Sequence, residues 1–105
     1  METFKVEAPA DDLEDLRQAL QRKLGSAVHI DEMLDHEAGE LHDATLIGLA
    51  IVVGPKIVSS VREVVSGWLE HRRKMAYLRI VDNLSKTATT PDEAIRMMKA
   101  LPHVP

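Results

Sequence analysis

Histidines and carboxylates cluster between residues 35 and 43 of the chain. Imidazole and carboxylate groups together suit zinc or another divalent ion. His36 and His42 are six residues apart, so they share neither the single helical face of an HExxH motif nor a tight hairpin. This spacing favours a solvated acidic loop. The alternative is a small metal-dependent enzyme or metal sensor, with the candidate ligands Asp35, His36, Glu37, Glu40, His42 and Asp43.

A second cluster, His71 to Lys74, is basic. Guanidinium and ammonium groups at this density can bind a phosphate or an acidic protein segment. Cations in the last turn of a helix also complement the negative end of its dipole, which explains the same residues without a ligand. Nucleic acid is disfavoured because the chain carries a net charge of −4 and the cluster has no interleaved aromatic residues.

Other reactive side chains lack the partners that catalysis needs. Ser59 and Ser60 are not enclosed in a GxSxG motif, and the glycines form no phosphate-binding pattern. His29 lies between Val28 and Ile30 in a predicted strand and faces away from both, so it is expected on the surface. The sequence therefore predicts no catalytic residue, no cofactor and a non-enzymatic protein.

The basic cluster is expected to end a helix over residues 55–74. Apolar residues recur with a 3.6-residue period from Ile57 to Trp68, and Pro55 suits the first helical position. Trp68 completes the apolar stripe and is predicted to lie in the core. Leu69 is one position off that stripe, so it is expected to be exposed and available to a partner.

The segment before this helix, residues 44–53, is the most apolar part of the chain. Its β-branched residues favour a strand buried on both faces, and a helix that kinks at Pro55 is the alternative. The segment is too short to span a membrane, which takes roughly 20 apolar residues.

The remaining elements complete an α+β pattern. Asp11 and Glu14 resemble a capping box at the start of a helix that ends near Gly25, and Thr90 begins a last helix. The predicted strands are residues 3–7, 27–33, 44–53 and 75–82, with residues 85–89 an edge strand or a loop. This order predicts a ferredoxin-like βαββαβ sandwich with an extra C-terminal helix. Strands 3–7 and 44–53 take the middle of the sheet, and either the last helix or a second subunit covers its open face.

Composition places the chain in one domain, residues 1–105, with a loose tail at 102–105. The absence of cysteine fits a reducing cytoplasm. Residues 1–52 hold twelve acids and four Lys or Arg, whereas residues 53–105 hold five acids and nine. This asymmetry supports head-to-tail association or an oppositely charged partner. Alternatively, the fold brings the two sets of charges together as ordinary solvated surfaces.

Three segments carry a family resemblance: WLEHRRK at 68–74, MAYLRIV at 75–81 and TPDEAIRMMKAL at 90–101. Together with the apolar segment before them, they resemble the effector-associated constant component proteins of bacterial conflict systems. The resemblance implies a non-enzymatic adaptor, encoded beside an effector such as a peptidase or a signalling NTPase, that couples its modules.

The resulting hypothesis is a cytoplasmic, self-associating protein-interaction module that recruits or regulates a larger effector. A self-assembling structural subunit is a further alternative. The predicted partner-binding residues lie at the end of the long helix and on the exposed side of the last one; they are Leu69, Arg72, Arg73, Lys74, Arg96, Met97 and Lys99.

Overall fold

A computed structural model describes residues 2–35 and 45–100 of the chain and shows an α+β architecture. An antiparallel sheet of five strands packs against three helices within these ranges. In chain order the elements are β1 (Glu2–Glu7), α1 (Ala10–Leu24), β2 (Val28–Asp35), β3 (Thr45–Val53), α2 (Val58–Glu70), β4 (Arg79–Val81), β5 (Thr87–Ala88) and α3 (Pro91–Lys99).

The sheet has the strand order β2-β3-β1-β4-β5, and each neighbouring pair is antiparallel. β1 and β3 are interior strands, as predicted. Their register places Phe4 opposite Ile51 and Val6 opposite Leu49. β3 is a strand and not a helix, which agrees with its β-branched composition.

One face of the sheet and all three helices form the hydrophobic core. Side chains alternate between the two faces of a strand, so one face of the sheet supplies the strand half of the core. Each helix adds its buried stripe to the same cluster. The largest fully buried side chains are Phe4, Leu13, Leu16, Leu20, Leu49, Ile51, Leu69 and Ile80.

The opposite face of the sheet has no helix over it in the described ranges. The first of the two predicted covers, the last helix, does not lie over this face. Ala94, Ile95 and Met98 of α3 instead join the core beside α2, because α3 returns to the helical side after β5. The other prediction, cover by a second subunit, stays a prediction.

The start of α1 differs from the prediction. The helix begins at Ala10 after Pro9, and no side chain caps it, so the Asp11–Glu14 capping box is wrong. Glu14 turns instead toward Arg17, one turn further on, which donates hydrogen bonds to its carboxylate and lowers its pKa. The predicted end is confirmed: Gly25 has a φ of 55° and follows the last helical residue.

The start of α3 agrees with the sequence prediction. The Thr90 hydroxyl accepts a hydrogen bond of 3.2 Å from the backbone N–H of Glu93, and Pro91 occupies the first helical position. The same hydroxyl donates to the Glu93 carboxylate at 3.1 Å. These contacts fix where the helix begins.

The predicted strand over residues 75–82 is much shorter, since β4 covers only Arg79–Val81. The segment between α2 and β4, residues 71–78, is irregular; we call it the connector.

No helix in the described ranges has both the length and the apolarity that crossing a membrane requires.

Candidate protein-interaction surface

The helix α2 ends at Glu70, four residues earlier than predicted, so Arg72, Arg73 and Lys74 lie beyond its last turn. Both the backbone N–H and the imidazole Nδ1 of His71 donate to the carbonyl of Gly67, at 3.3 and 2.8 Å. The N–H of Arg72 donates to Leu69, which tightens the turn and stops the α-helical pattern.

Leu69 is fully buried, so the prediction that it is exposed is wrong. The prediction assumed one narrow apolar stripe, but α2 packs against the sheet, α1 and α3 at once and buries a wider arc of its surface. Trp68 is buried as predicted, and its indole N–H donates to the backbone carbonyl of Asp12 at 2.9 Å. The end of α2 therefore packs into the core.

Arg72 joins the connector to α1. Its guanidinium forms ion pairs with Asp12, at 3.3 Å, and with Asp15. The side chain is half-buried, so its contacts hold the connector in place and are not available to a second molecule without breaking them. The main role of Arg72 is therefore to hold the connector against α1.

The next two residues of the connector are more exposed. Arg73 forms an ion pair of 2.8 Å with Asp92 in the first turn of α3, and both side chains are well exposed. Lys74 is exposed and has no ion pair within the described part of the chain. Of the three basic residues, Lys74 is thus the most accessible to a partner.

Tyr77 holds the far end of the connector. Its hydroxyl donates to the backbone carbonyl of Ala8 at 3.0 Å, although half of the side chain is exposed. A groove of about 560 Å³ lies along the connector; it is lined by Pro9, Asp12, Glu70, His71, Arg72, Arg73, Lys74, Met75 and Ala76. Contacts to α1, to α3 and to Ala8, the residue after β1, therefore hold the connector in place.

The predicted residues on α3 have three different environments. Arg96 is exposed and has no ion pair in the described ranges, whereas Met97 is half-buried against the core. Lys99 forms an ion pair of 2.9 Å with Glu70 of α2. The hydrogen bond from Lys99 lowers the pKa of the Glu70 carboxyl. Arg96 is thus exposed and unpaired in the described ranges, as Lys74 is, whereas Lys99 is held in an ion pair, as Arg72 is.

Arg62 on α2 has a role that the sequence analysis missed. Its guanidinium donates to the carbonyls of Met97 and Ala100 at the end of α3, at 2.9 and 3.3 Å, and forms an ion pair with Glu2. It also lies 5.4 Å from the centre of the Phe4 ring. Arg62 lies off the apolar stripe of α2, and only the position of α3 reveals these contacts.

The fold brings part of the opposite charge of the two halves of the chain together. Arg62, Arg72 and Arg79 of the basic half pair with acidic residues of the first half, namely Glu2, Asp12, Asp15 and Glu7. These contacts support the simpler of the two predicted explanations, in which folding brings the charges together.

The predicted metal ligands His36 and His42, with Glu37, Glu40 and Asp43, lie outside the described residues. Within residues 2–35 and 45–100, no group of three His, Cys, Asp or Glu side chains could hold a metal ion. His29 is 70% exposed, as predicted, and its Nε2 lies 3.0 Å from Asp31.

Comparison with known proteins returns no family model and no curated relative that matches the chain.

Proposed function

We propose that the protein is a non-enzymatic interaction module that binds an acidic segment of a larger effector protein. The observation that carries this proposal is the connector. Contacts to α1, α3 and β1 hold it at Arg72, Arg73 and Tyr77, while Lys74 is left exposed beside a groove. A preformed basic surface lowers the entropy cost of binding an acidic partner.

The exposed cations of the connector continue onto α3. Arg73 contacts Asp92, and Asp92 and Arg96 are four residues apart in α3, a spacing that places them on the same side of the helix. The proposed contact with the effector comprises Lys74, Arg73 and Arg96, which we call the basic surface. Its chemistry suits carboxylates of a protein segment more than an apolar ligand.

The class of effector comes from the family resemblance. An adaptor of a bacterial conflict system, coupled to a peptidase or a signalling NTPase in the cytoplasm, is the proposed setting. Self-association belongs to the same proposal, since the sheet has a face without a helix over it in the described ranges.

We also infer that the fold is a ferredoxin-like sandwich with additions. Helices follow β1 and β3, and the strand order β2-β3-β1-β4 supports a split βαβ arrangement. The short strand β5 and the helix α3 extend this unit at one edge.

The test is affinity capture of the full chain from its native host, followed by mass spectrometry at low and high salt. The wild type is compared with the double variant Lys74→Glu/Arg96→Glu. We expect one multidomain protein to be captured by the wild type, at least tenfold less by the double variant, and less by either at high salt.

A matched control is Arg22→Glu/Lys56→Glu, which reverses one arginine and one lysine that are also exposed and unpaired in the described ranges. This control should capture as much effector as the wild type. Arg72→Glu is unsuitable because its ion pairs support the fold. Equal capture by both double variants, or recovery of the protein alone, would overturn the proposal.

A further inference from the structure

The face of the sheet opposite the helices combines half-buried small apolar side chains with exposed charges. Ala50 and Val52 of β3 and Val81 of β4 are half-buried there. Ala50 and Val52 make β3 apolar on its second face as well as on the core face, and strands with two apolar faces are typical of sheets covered on both sides. Within the described ranges, no helix or further strand packs over this face.

Two charged residues of this face, Asp31 and Lys5, lie in one row across the strands. Asp31 of β2 pairs in register with Ala50 of β3, which pairs in register with Lys5 of β1. Two strand spacings, about 10 Å, therefore separate the Cα atoms of Asp31 and Lys5. The Asp31 carboxylate lies 3.0 Å from the Nε2 of His29 on the same strand and is 64% exposed. Lys5 is exposed and has no ion pair in the described part of the molecule.

A two-fold axis parallel to β3 and passing above Ala50 would cover the apolar strip of β3 and also give Lys5 a counterion. Such an axis exchanges the positions of β1 and β2 while it keeps each cross-strand row in place. Lys5 of one copy then faces Asp31 of the second copy, and the reverse pair forms on the other side of the axis. The two apolar strips of β3 cover each other between these pairs.

The residues along the axis are small enough for two sheets to approach. Gly48, Ala50 and Val52 follow one another on this face of β3, and the flexible Met33 side chain lies across Gly48. Pairing through the free edge of β2 fits less well, because Asp31 and Glu32 would bring like charges together.

We propose that this open face is the contact of a symmetric dimer of two copies of the chain, with reciprocal Lys5–Asp31 ion pairs. The inference rests on the self-association part of the proposed function and not on effector capture. The axis places β2, β3 and β1 of one copy opposite β1, β3 and β2 of the other. Three strands of about six residues cover roughly 300 Å² in projection, which is small for a stable interface. A dimer in the micromolar range is therefore expected.

The first test is sedimentation velocity of the full chain at low salt through the micromolar range. Lys5→Glu and Asp31→Lys should each weaken dimerisation at least tenfold, because each places like charges together twice. The charge swap Lys5→Glu/Asp31→Lys should restore it. Lys56→Glu, which makes the same charge change on another surface, should leave it unchanged.

The second test is cross-linking, which does not depend on charge. The chain has no cysteine, so Ala50→Cys introduces a single thiol near the proposed axis. A short bismaleimide should link two copies of this variant efficiently. Ser59→Cys on the exposed side of α2 is the control and should give little linked product.

The outcomes separate this inference from the proposed function. A chain that stays monomeric would overturn the dimer and the proposed self-association, while effector capture is measured independently. A dimer that is insensitive to both single reversals and does not cross-link through Ala50→Cys would overturn this contact alone. Should a charge variant fail to fold, the Ala50→Cys cross-link in an otherwise wild-type chain decides.

Discussion

The connector and the open sheet face each hold at least one arginine that pairs with a carboxylate and one lysine without a counterion in the described ranges, so the two kinds of cation can be compared in both regions. In the connector, Arg72 and Arg73 pair with carboxylates of α1 and α3, and only Lys74 is left without a counterion in the described ranges. On the sheet face, Arg79 lies 3.5 Å from Glu7, while Lys5 lies between the uncharged residues Ala50 and Val81.

The difference between the paired arginines and the unpaired lysines separates charges that hold the fold from charges that can bind a second molecule. A cluster of cations in a sequence suggests a binding surface, yet a cation that already has a counterion must lose that contact before it binds another. The lysines without a counterion in the described ranges, Lys5 and Lys74, are the better candidates for contacts between molecules. A cluster of cations is easier to recognise in a sequence than an unpaired lysine.

The largest expected effect is at Leu69, which the sequence placed on the partner surface and the structure places in the core. Leu69→Ala should lower the free energy of unfolding by about 3 kcal/mol, because it removes a fully buried side chain and leaves a cavity. Urea denaturation measures this loss. Met97→Ala, at a half-buried position, is the comparison and should cost about 1 kcal/mol. An unchanged stability with lost effector capture would return Leu69 to the partner surface.

A smaller effect is expected at Arg62. Arg62→Met keeps the apolar stem but removes the ion pair with Glu2 and the hydrogen bonds to the end of α3. The side chain is only 14% exposed, so the loss should be about 2 kcal/mol of unfolding free energy. Arg96→Met on the exposed side of α3 should change stability by less than about 0.5 kcal/mol. Similar losses in the two variants would contradict the distinction between paired and unpaired cations.

The smallest effect concerns Glu70, whose pKa is lowered chiefly by its hydrogen bond with Lys99. Its folded pKa lies below the unfolded one, so the pair contributes stability above the ordinary glutamate range. That contribution is lost as the pH falls through the folded pKa. Lys99→Met should raise the Glu70 pKa toward the ordinary value in a carboxyl NMR titration. Lys86→Met, which removes an exposed lysine elsewhere, should not move it; an equal shift in both variants would refute the pairing.

Local sequence patterns predicted the elements whose causes are local. The β-branched run over residues 44–53 became β3, and Thr90, Pro91 and Glu93 formed the predicted start of α3. Gly25 ended α1 for the reason expected of a residue that adopts a positive φ. In each case neighbours in the sequence supply the deciding contacts.

The features that the sequence did not predict depend on contacts between distant elements. α2 ends at Glu70 where the backbone turns and Arg72 reaches α1, sixty residues earlier in the chain. Leu69 is buried because α1 and α3 flank α2 together, and Arg62 contacts the end of α3. A helical period records how many residues are apolar on one side, but not how many elements surround the helix.

Lysine labelling tests the comparison most directly. The reactivity of Lys5 and Lys74 toward an acylating reagent would be measured by mass spectrometry as the concentration of the chain rises through the micromolar range. Both side chains are exposed and unpaired in the described ranges, so both should react readily in dilute solution. We expect Lys5 to become protected with concentration and Lys74 to stay reactive until the effector is added. Unchanged reactivity of Lys5, or protection of Lys74 by concentration alone, would contradict the assignment of the two surfaces.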